Sequence, residues 1–343
     1  MKVPLGQKVI LWSLFFLICM GLGYPTLSRY DPRSVPGLFD SNGYSSLVTG
    51  GLAGDESHRI LVPYLARPIY WLADGHLHTW NPVFFALLVV NSFFIASTAY
   101  LLVDVSQRIV GDYPVALLSG FLYLTNFAVA NFNLAGYVDS AVNCMMMAMA
   151  WALITGRWWL LPLWGVLGAL AKETFVPLSS VFALAWWLTS WRRGALRLTQ
   201  LAWVAAMTTV GIASLVLVMA RVSPGSSPMT FAASRWDEFG SGYFYLRGLV
   251  GCLIAREALY VFGWLLPLGV WQLGRLPKTW VAASISSALA ALALGAYDDA
   301  MGNAVRPLFS CIGPVLSLSA SILLVRIGAG ARRPDSPSVS NAN

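Results

Sequence analysis

Carboxylate and basic side chains are concentrated in one polar stretch near the start of an otherwise hydrophobic chain. Residues 30–73 read YDPRSVPGLFDSNGYSSLVTGGLAGDESHRILVPYLARPIYWLA. A positioned carboxylate can take a proton from an attacking hydroxyl group, and cationic side chains can stabilise a departing phosphate. Asp40 is the best candidate for such a catalytic base, and Asp55 and Glu56 are the alternatives.

Three later segments place ionisable residues beside or within apolar runs. Their sequences are LAGYVDSAVN, GVLGALAKETFVPL and YDDAMGNAVRPLF. Charges in or beside a membrane are costly, so they are rare and are often functional. Together with the first stretch they give these candidate substrate-binding or phosphate-binding residues: Tyr44, His58, Arg59, Asp139, Lys172, Glu173, Asp298, Asp299 and Arg306.

The same residues also have ordinary structural explanations. Asp40 and Asp139 could each cap the N-terminus of a helix, and the acidic pair at 298–299 could be a solvated turn. Lys172 and Glu173 could pair with charges on neighbouring helices or form a polar bend. Spacing alone does not separate these roles from binding.

The sequence shows no compact set of metal ligands. Its four cysteines are scattered and indicate neither a disulfide framework nor a zinc site. We therefore predict no metal and no cofactor.

Composition shows what kind of scaffold positions these residues. The chain of 343 residues is 57% hydrophobic and only 11% charged, whereas soluble domains have roughly 25% charged residues. The pattern predicts an all-α integral membrane protein, because apolar runs near the ~20 residues needed for a crossing recur along the chain. We expect ten crossings, at about 9–25, 82–103, 114–131, 138–155, 158–171, 174–191, 200–220, 257–273, 279–296 and 307–325.

The distribution of charge predicts the orientation of these crossings. With an uncleaved first crossing and a cytoplasmic N-terminus, the inner loops are almost purely basic and the outer loops are mixed, as the positive-inside rule requires. The net charge of +7 therefore reflects topology, and we expect no nucleic-acid partner. All candidate site residues then lie on the outer side of a bacterial-type cytoplasmic membrane, and both termini are cytoplasmic.

Local signals add three expectations to this topology. Asn81 and Pro82 are typical of an N-cap and a first helical residue. Residues 60–73 predict an interfacial element on the outer surface, because the stretch is too short to span and carries arginines beside aromatic residues. Residues 1–326 should form a single polytopic domain, and residues 327–343 a disordered cytoplasmic tail.

The order of these features resembles the GT-C superfamily of membrane glycosyltransferases. One crossing is followed by an outer loop with Asp-x-x-x-Tyr, by the element HRILVPYLARP and then by many crossings. Tyr137-Val138-Asp139 is similar to the start of the corresponding helix in the protein mannosyltransferase and aminoarabinose-transferase branch. GVLGALAKE and DDAMGNAVRPLF also resemble segments of these enzymes.

The resemblance implies a transferase that takes a sugar from a polyprenyl-phosphate-linked donor and passes it to an acceptor, which the sequence does not name. Asp40 would be the base, while Lys172, Arg59 and Arg306 would stabilise the lipid phosphate as it leaves. Asp139 and Glu173 would orient these cations or bind sugar hydroxyls. The first outer loop departs from the family because it lacks the adjacent acidic pair that many members have just after the helix.

Three other functions remain open. An O-antigen-type polymerase or ligase would depend on outer arginines such as Arg235 and Arg247. A lipid or sugar transporter would be expected to show internal repeats and ionisable residues near the membrane midplane. A non-catalytic scaffold of a surface-polysaccharide pathway would tolerate substitution of every acidic residue.

Overall fold

The computed structural model describes residues 4–29, 39–51, 57–78, 80–191, 198–222, 242–298 and 304–330. Within these ranges the chain is built from helices and contains no β-strand, so the predicted all-α fold is confirmed for this part of the chain. At a few helix ends, including Asp40 and Asp298, the backbone is described but the side chain is not.

Fourteen α-helices are assigned in the described ranges. In chain order they are α1 (Leu5–Arg29), α2 (Phe39–Thr49), α3 (Leu61–Ala73), α4 (Pro82–Val110), α5 (Tyr113–Leu124), α6 (Asp139–Ile154), α7 (Leu161–Ala171), α8 (Phe175–Trp191), α9 (Leu198–Val222), α10 (Gly242–Ile254), α11 (Arg256–Phe262), α12 (Leu265–Val270), α13 (Lys278–Asp298) and α14 (Val305–Gly330). Short 3-10 turns at Trp158–Leu160 and Leu273–Arg275 and a π-helical turn at Val129–Asn133 complete the set.

Five of the described helical segments are long and apolar enough to cross a membrane. They are Leu5–Pro25, Pro82–Val110, Leu198–Val222, Lys278–Gly295 and Val305–Ala329. Four shorter apolar segments of 10–17 residues also coincide with predicted crossings: Tyr113–Leu124, Asp139–Ile154, Trp158–Ala171 and Phe175–Ser190. These lengths indicate a membrane protein, but the four shorter segments fall below the ~20 residues of a full apolar span.

The predicted crossing at 257–273 is not one continuous helix. It consists of α11 and α12, which are separated by Gly263 and Trp264. A proline lacks the amide hydrogen of a helical residue, and its ring clashes with the carbonyl four residues earlier. Pro267 therefore prevents one helix from running through Gly263.

The predicted crossing at 114–131 is also shorter than expected, since α5 ends at Leu124. Asn126 marks the end of the helical run. Its side chain accepts a hydrogen bond of 2.9 Å from the amide of Ala128 and donates another of 2.9 Å to the carbonyl of Val261. The chain then enters the π-helical turn instead of continuing as an α-helix.

The capping signal at the start of α4 is confirmed, and the predicted short element at residues 60–73 contains the helix α3. Asn81 accepts a hydrogen bond of 2.9 Å from the amide of Val83, and Pro82 is the first residue of α4. The helix α3 has 13 residues, too few to span, and it buries Val62 and Ala66 while Trp71 and Leu72 remain exposed. At the other end of the chain, α14 continues to Gly330, beyond the predicted start of the tail at 327, and residues 331–343 lie outside the described residues.

The middle of the bundle is formed by α4, α6 and α14. Nearly all of α6 is buried, and 72% of the apolar windows of α4 and α14 is buried, against 11% for α1 and 17% for α9. The helix α4 packs on α1, α3, α5 and α6, while α14 packs on α5, α6, α12 and α13. This packing brings the N-termini of α6 and α14 and the turn between α7 and α8 to the same end of the bundle.

Candidate functional site

Seven of the predicted binding residues form one cluster at this end of the bundle, which we call the polar cluster. They come from the α2 helix, the α2–α3 connection, the α7–α8 turn and the first turns of α6 and α14. Its members are Tyr44, His58, Arg59, Asp139, Lys172, Glu173 and Arg306.

Glu173 is the centre of one half of the polar cluster. Arg59 donates two hydrogen bonds to its carboxylate, of 2.9 Å from Nε and 2.6 Å from Nη2, in the bidentate geometry that suits this pair. Nε2 of His58 lies 2.8 Å from the same carboxylate. Nη1 of Arg59 also donates a bond of 2.7 Å to the hydroxyl of Tyr44, which is buried. The helix α2, the α2–α3 connection and the α7–α8 turn are thereby joined.

These contacts fix the charge state of Glu173 and Arg59. Burial raises the pKa of Glu173, but the hydrogen bond from His58 and the charge of Arg59 outweigh it and hold that pKa well below its ordinary value. Burial lowers the pKa of Arg59, but the charge of Glu173 and the contact with Tyr44 raise it well above its ordinary value. Both residues are ionised at neutral pH.

Asp139 is the centre of the other half of the polar cluster. Nζ of Lys172 donates a hydrogen bond of 2.9 Å to Oδ1, and Nη1 of Arg306 lies 3.7 Å from Oδ2. The Asp139 side chain is only 4% exposed, while Lys172 is 15% and Arg306 is 21% exposed. Two cations therefore face one buried carboxylate from separate parts of the chain.

Asp139 is not the N-cap of α6, so the capping role suggested for it by the sequence is wrong. The cap position is Val138, with no side-chain cap bond, and the Asp139 carboxylate contacts Lys172 and Arg306 instead. A negative charge in the first turn still benefits from the helix dipole. For Lys172 and Glu173, the expectation that they pair with charges from neighbouring segments is confirmed.

The two halves are connected through the turn that carries Lys172 and Glu173. Lys172 ends α7 in an extended conformation with its amide bonded to the carbonyl of Gly168, and its own carbonyl accepts from the amide of Phe175. Gly168 lies against the Phe175 ring, where a Cβ atom would approach ring carbons to 2.2 Å. The glycine thus allows a tight turn. From this turn Lys172 contacts Asp139, while its neighbour Glu173 contacts Arg59.

Two aromatic residues that were not predicted as site residues also contact the polar cluster. The Cζ atom of Arg306 lies 4.1 Å from the ring centroid of Tyr137 and 5.2 Å from that of Phe132. Tyr137 stands in a segment that the sequence already marked, YVD. For Phe132 no sequence pattern indicated a contact with a distant arginine.

The remaining predicted site residues are not placed by the structure. Asp55, Glu56 and Asp299 lie outside the described residues, as do the side chains of Asp40 and Asp298. Asp40 is the second residue of α2, which begins at Phe39, so it is not that helix's N-cap. The catalytic assignment to Asp40, Asp55 or Glu56 stays a prediction.

Within the described ranges, no three His, Cys, Asp or Glu side chains come close enough together to hold a metal ion. Asp55 and Glu56 are not part of those ranges. The expected absence of a metal therefore stays a prediction.

An apolar groove lies beside the polar cluster. It has a volume of about 650 Å³ and is lined by residues of α10, α11, α12, α13 and α14. Ala304, Val305 and Leu308 belong to its wall, so the groove and Arg306 occupy neighbouring sides of the same first turn of α14. Charged and apolar surfaces therefore meet at this turn.

Comparisons with known proteins leave the family open. No protein-family model and no curated protein matches this chain.

Proposed function

We propose that this chain is a GT-C-type membrane glycosyltransferase that moves a sugar from a polyprenyl-phosphate-linked donor to an acceptor at the outer face of a bacterial cytoplasmic membrane. The observation that carries the proposal is the position of Arg306. It belongs to the polar cluster, and its neighbours Ala304, Val305 and Leu308 line the apolar groove. An amphiphile with a phosphate head and a hydrocarbon chain needs cationic and apolar surfaces that adjoin. The resemblance of the sequence segments supplies the reaction class.

In the proposed reaction, an acceptor hydroxyl oxygen attacks the anomeric carbon of the sugar. The bond between that carbon and the phosphate oxygen breaks, and the lipid phosphate leaves with the electron pair. Asp40 takes the proton of the hydroxyl group, as a general base does. Lys172, Arg59 and Arg306 stabilise the charge that develops on the phosphate.

The charge balance of the polar cluster supports an anionic ligand. Its described members include three cations and two carboxylates, and these carboxylates orient the cations. The low exposure of the members also strengthens their interaction with a phosphate, because screening by water is reduced.

We further propose ten crossings with cytoplasmic termini, in which α11 and α12 together make the broken eighth crossing at about 257–273. In this proposed arrangement the polar cluster lies on the outer side, and Arg108, Arg157, Arg275 and Lys278 lie on the inner side, as the positive-inside rule requires. The amphipathic helix α3 then lies along the outer interface in contact with membrane lipids. Cysteine labelling of Trp71→Cys and Arg157→Cys variants from outside the cell tests this arrangement, since only the former should react.

The function is tested by the glycans and the lipid-linked sugar pool of a deletion strain. Strains restored with wild-type protein, Asp40→Asn or Arg306→Gln are compared at equal membrane levels, with Arg247→Gln as the matched control because Arg247 is exposed. We expect the deletion, Asp40→Asn and Arg306→Gln to lose one sugar and accumulate its polyprenyl donor, and Arg247→Gln to restore both.

Other outcomes identify the alternatives. Loss of function with Arg235→Gln or Arg247→Gln but not with Asp40→Asn points to an O-antigen-type polymerase or ligase. Full activity of Asp40→Asn together with loss in Asp55→Asn or Glu56→Gln moves the base to those residues. An unchanged donor pool in the deletion strain overturns the transferase proposal in favour of a transporter or a scaffold.

A further inference from the structure

Arg306 is contacted by three side chains from one short segment, which runs from the α5–α6 connection to the first residue of α6. The rings of Phe132 and Tyr137 lie at 5.2 Å and 4.1 Å from its Cζ atom, and Asp139 Oδ2 lies 3.7 Å from Nη1. All three distances are within the range of attraction between a guanidinium group and aromatic faces or a carboxylate. The segment 132–139 thus holds an arginine more than 160 residues further along the chain.

The backbone of this segment has an unusual path that presents both rings. Phe132 belongs to the π-helical turn Val129–Asn133, a conformation that is rare and is found often at functional sites. Gly136 has a φ angle of 84°, which residues with a side chain seldom adopt. Tyr137 and Asp139 follow this turn and contact the same guanidinium group as Phe132.

The carboxylate alone does not fix the guanidinium plane. Its Oδ2 atom lies 3.7 Å from Nη1 of Arg306, and its Oδ1 atom accepts a hydrogen bond of 2.9 Å from Lys172. Flat contact with aromatic rings is specific to the planar guanidinium group. The rings therefore contribute to the orientation of the Arg306 guanidinium group, and Asp139 contributes a compensating charge.

We propose that Phe132 and Tyr137 are positioning residues that hold the Arg306 guanidinium ready to bind the phosphate of a lipid-linked donor. This inference rests on the proposed function. A side chain that is ordered before binding loses less conformational freedom when the ligand arrives, which increases affinity without any new contact.

The experiment measures binding of undecaprenyl phosphate to the full-length protein in nanodiscs of zwitterionic lipid, with undecaprenol as the uncharged comparison. We expect Tyr137→Leu and Phe132→Leu each to weaken binding of the phosphate five- to tenfold. Tyr137→Phe and Phe132→Tyr keep the rings and should stay within twofold of wild type. Phe121→Leu removes a ring that packs on Phe15 and should change thermal stability without changing affinity.

A double-substitution cycle separates positioning from general damage to the fold. In an Arg306→Ala background, the loss of the Tyr137 ring should cause no further loss of affinity. Phe132 is only half-buried, so Phe132→Leu should disturb the fold less than Tyr137→Leu. Its phosphate affinity tests the inference if Tyr137→Leu does not fold.

Two results would overturn the inference. If wild type prefers the phosphate but the leucine variants bind it equally well, or if they weaken binding as much without Arg306, the positioning role is wrong and the proposed function stands. If wild type does not distinguish undecaprenyl phosphate from undecaprenol, the proposed function fails and this inference fails with it.

Discussion

Nζ of Lys172 donates a hydrogen bond of 2.9 Å to Oδ1 of Asp139, which connects the end of α7 to the start of α6. The Asp139 side chain is 4% exposed. A buried carboxylate is tolerated only where cations or hydrogen bonds compensate for the loss of water. The same bond places Lys172 beside Arg306, so that the pair of cations proposed for phosphate binding depends on Asp139.

Asp139→Asn should destabilise the protein by about 3 kcal/mol, because removal of one partner leaves the other charges buried without compensation. The expected result is a lower thermal unfolding midpoint in detergent and a loss of sugar transfer of at least about tenfold, which corresponds to about 1.4 kcal/mol of transition-state stabilisation. Adding Lys172→Met to the Asp139→Asn variant should restore part of the lost stability. It should restore none of the lost sugar transfer. Strictly additive effects on stability would contradict the coupling of these two residues.

Glu173→Gln should cost about 2 to 4 kcal/mol of stability, since Arg59 and His58 both lose the charge that they contact. The matched control is Arg108→Gln. This substitution removes the ion pair between Arg108, in the last turn of α4, and Asp104, four residues earlier, whose charged atoms are 2.7 Å apart. That arginine is 50% exposed, so we expect a cost of only about 0.5 kcal/mol. Equal effects of the two substitutions on the unfolding midpoint would show that Glu173 is not held as the structure indicates.

The stabilisation by Glu173 should disappear in acid. Because its pKa in the folded protein is lowered relative to an unfolded value of about 4.3, its contribution is complete above that unfolded value and is lost as the pH falls through the folded pKa. The unfolding midpoints of wild type and Glu173→Gln should therefore differ at pH 7 and approach each other well below pH 4. A difference that grows on acidification would contradict the lowered pKa.

Gly165→Ala should weaken the packing of α7 on α9. A Cβ atom at Gly165 would lie 2.6 Å from the backbone carbonyl oxygen of Met207, so the helices must separate, at a cost of about 1 to 3 kcal/mol. Gly21 in α1 has nothing within 4 Å of a Cβ atom, and Gly21→Ala should leave stability unchanged or slightly higher. Unfolding in detergent compares the two, and an equal midpoint would mean that α7 and α9 do not pack this closely.

The convergence of Asp139, Lys172 and Glu173 was predictable because charges that interrupt apolar runs must be compensated. The predicted alternation of the crossings also led us to expect these residues at one end of the bundle. The choice of partners was not predictable. That Arg59 contacts Glu173, and Arg306 contacts Asp139, depends on the tilt and rotation of helices, which a sequence pattern does not encode.

The limits of hydropathy are clearest where apolar runs are not helical throughout. Residues 257–273 have the composition of a crossing, yet Gly263 and Pro267 divide them, and the proline was the available signal. At Leu124 the helix ends because the side chain of Asn126 bonds to nearby backbone, a competition with the helix that composition does not report. The contact of Phe132 with Arg306 follows from that early end and from the π-helical turn after it.

The position of Arg306 at the start of α14 has a consequence for biosynthesis. Asp139 and Lys172 enter the membrane with the first half of the chain, but Arg306 is supplied by the last described helix. During insertion the buried carboxylate is therefore without the charge of Arg306 until α14 has been made, and Lys172 is its hydrogen-bonded cation. A nascent or truncated chain without α14 lacks the Arg306 cation, so the proposed activity begins only after α14 has been inserted.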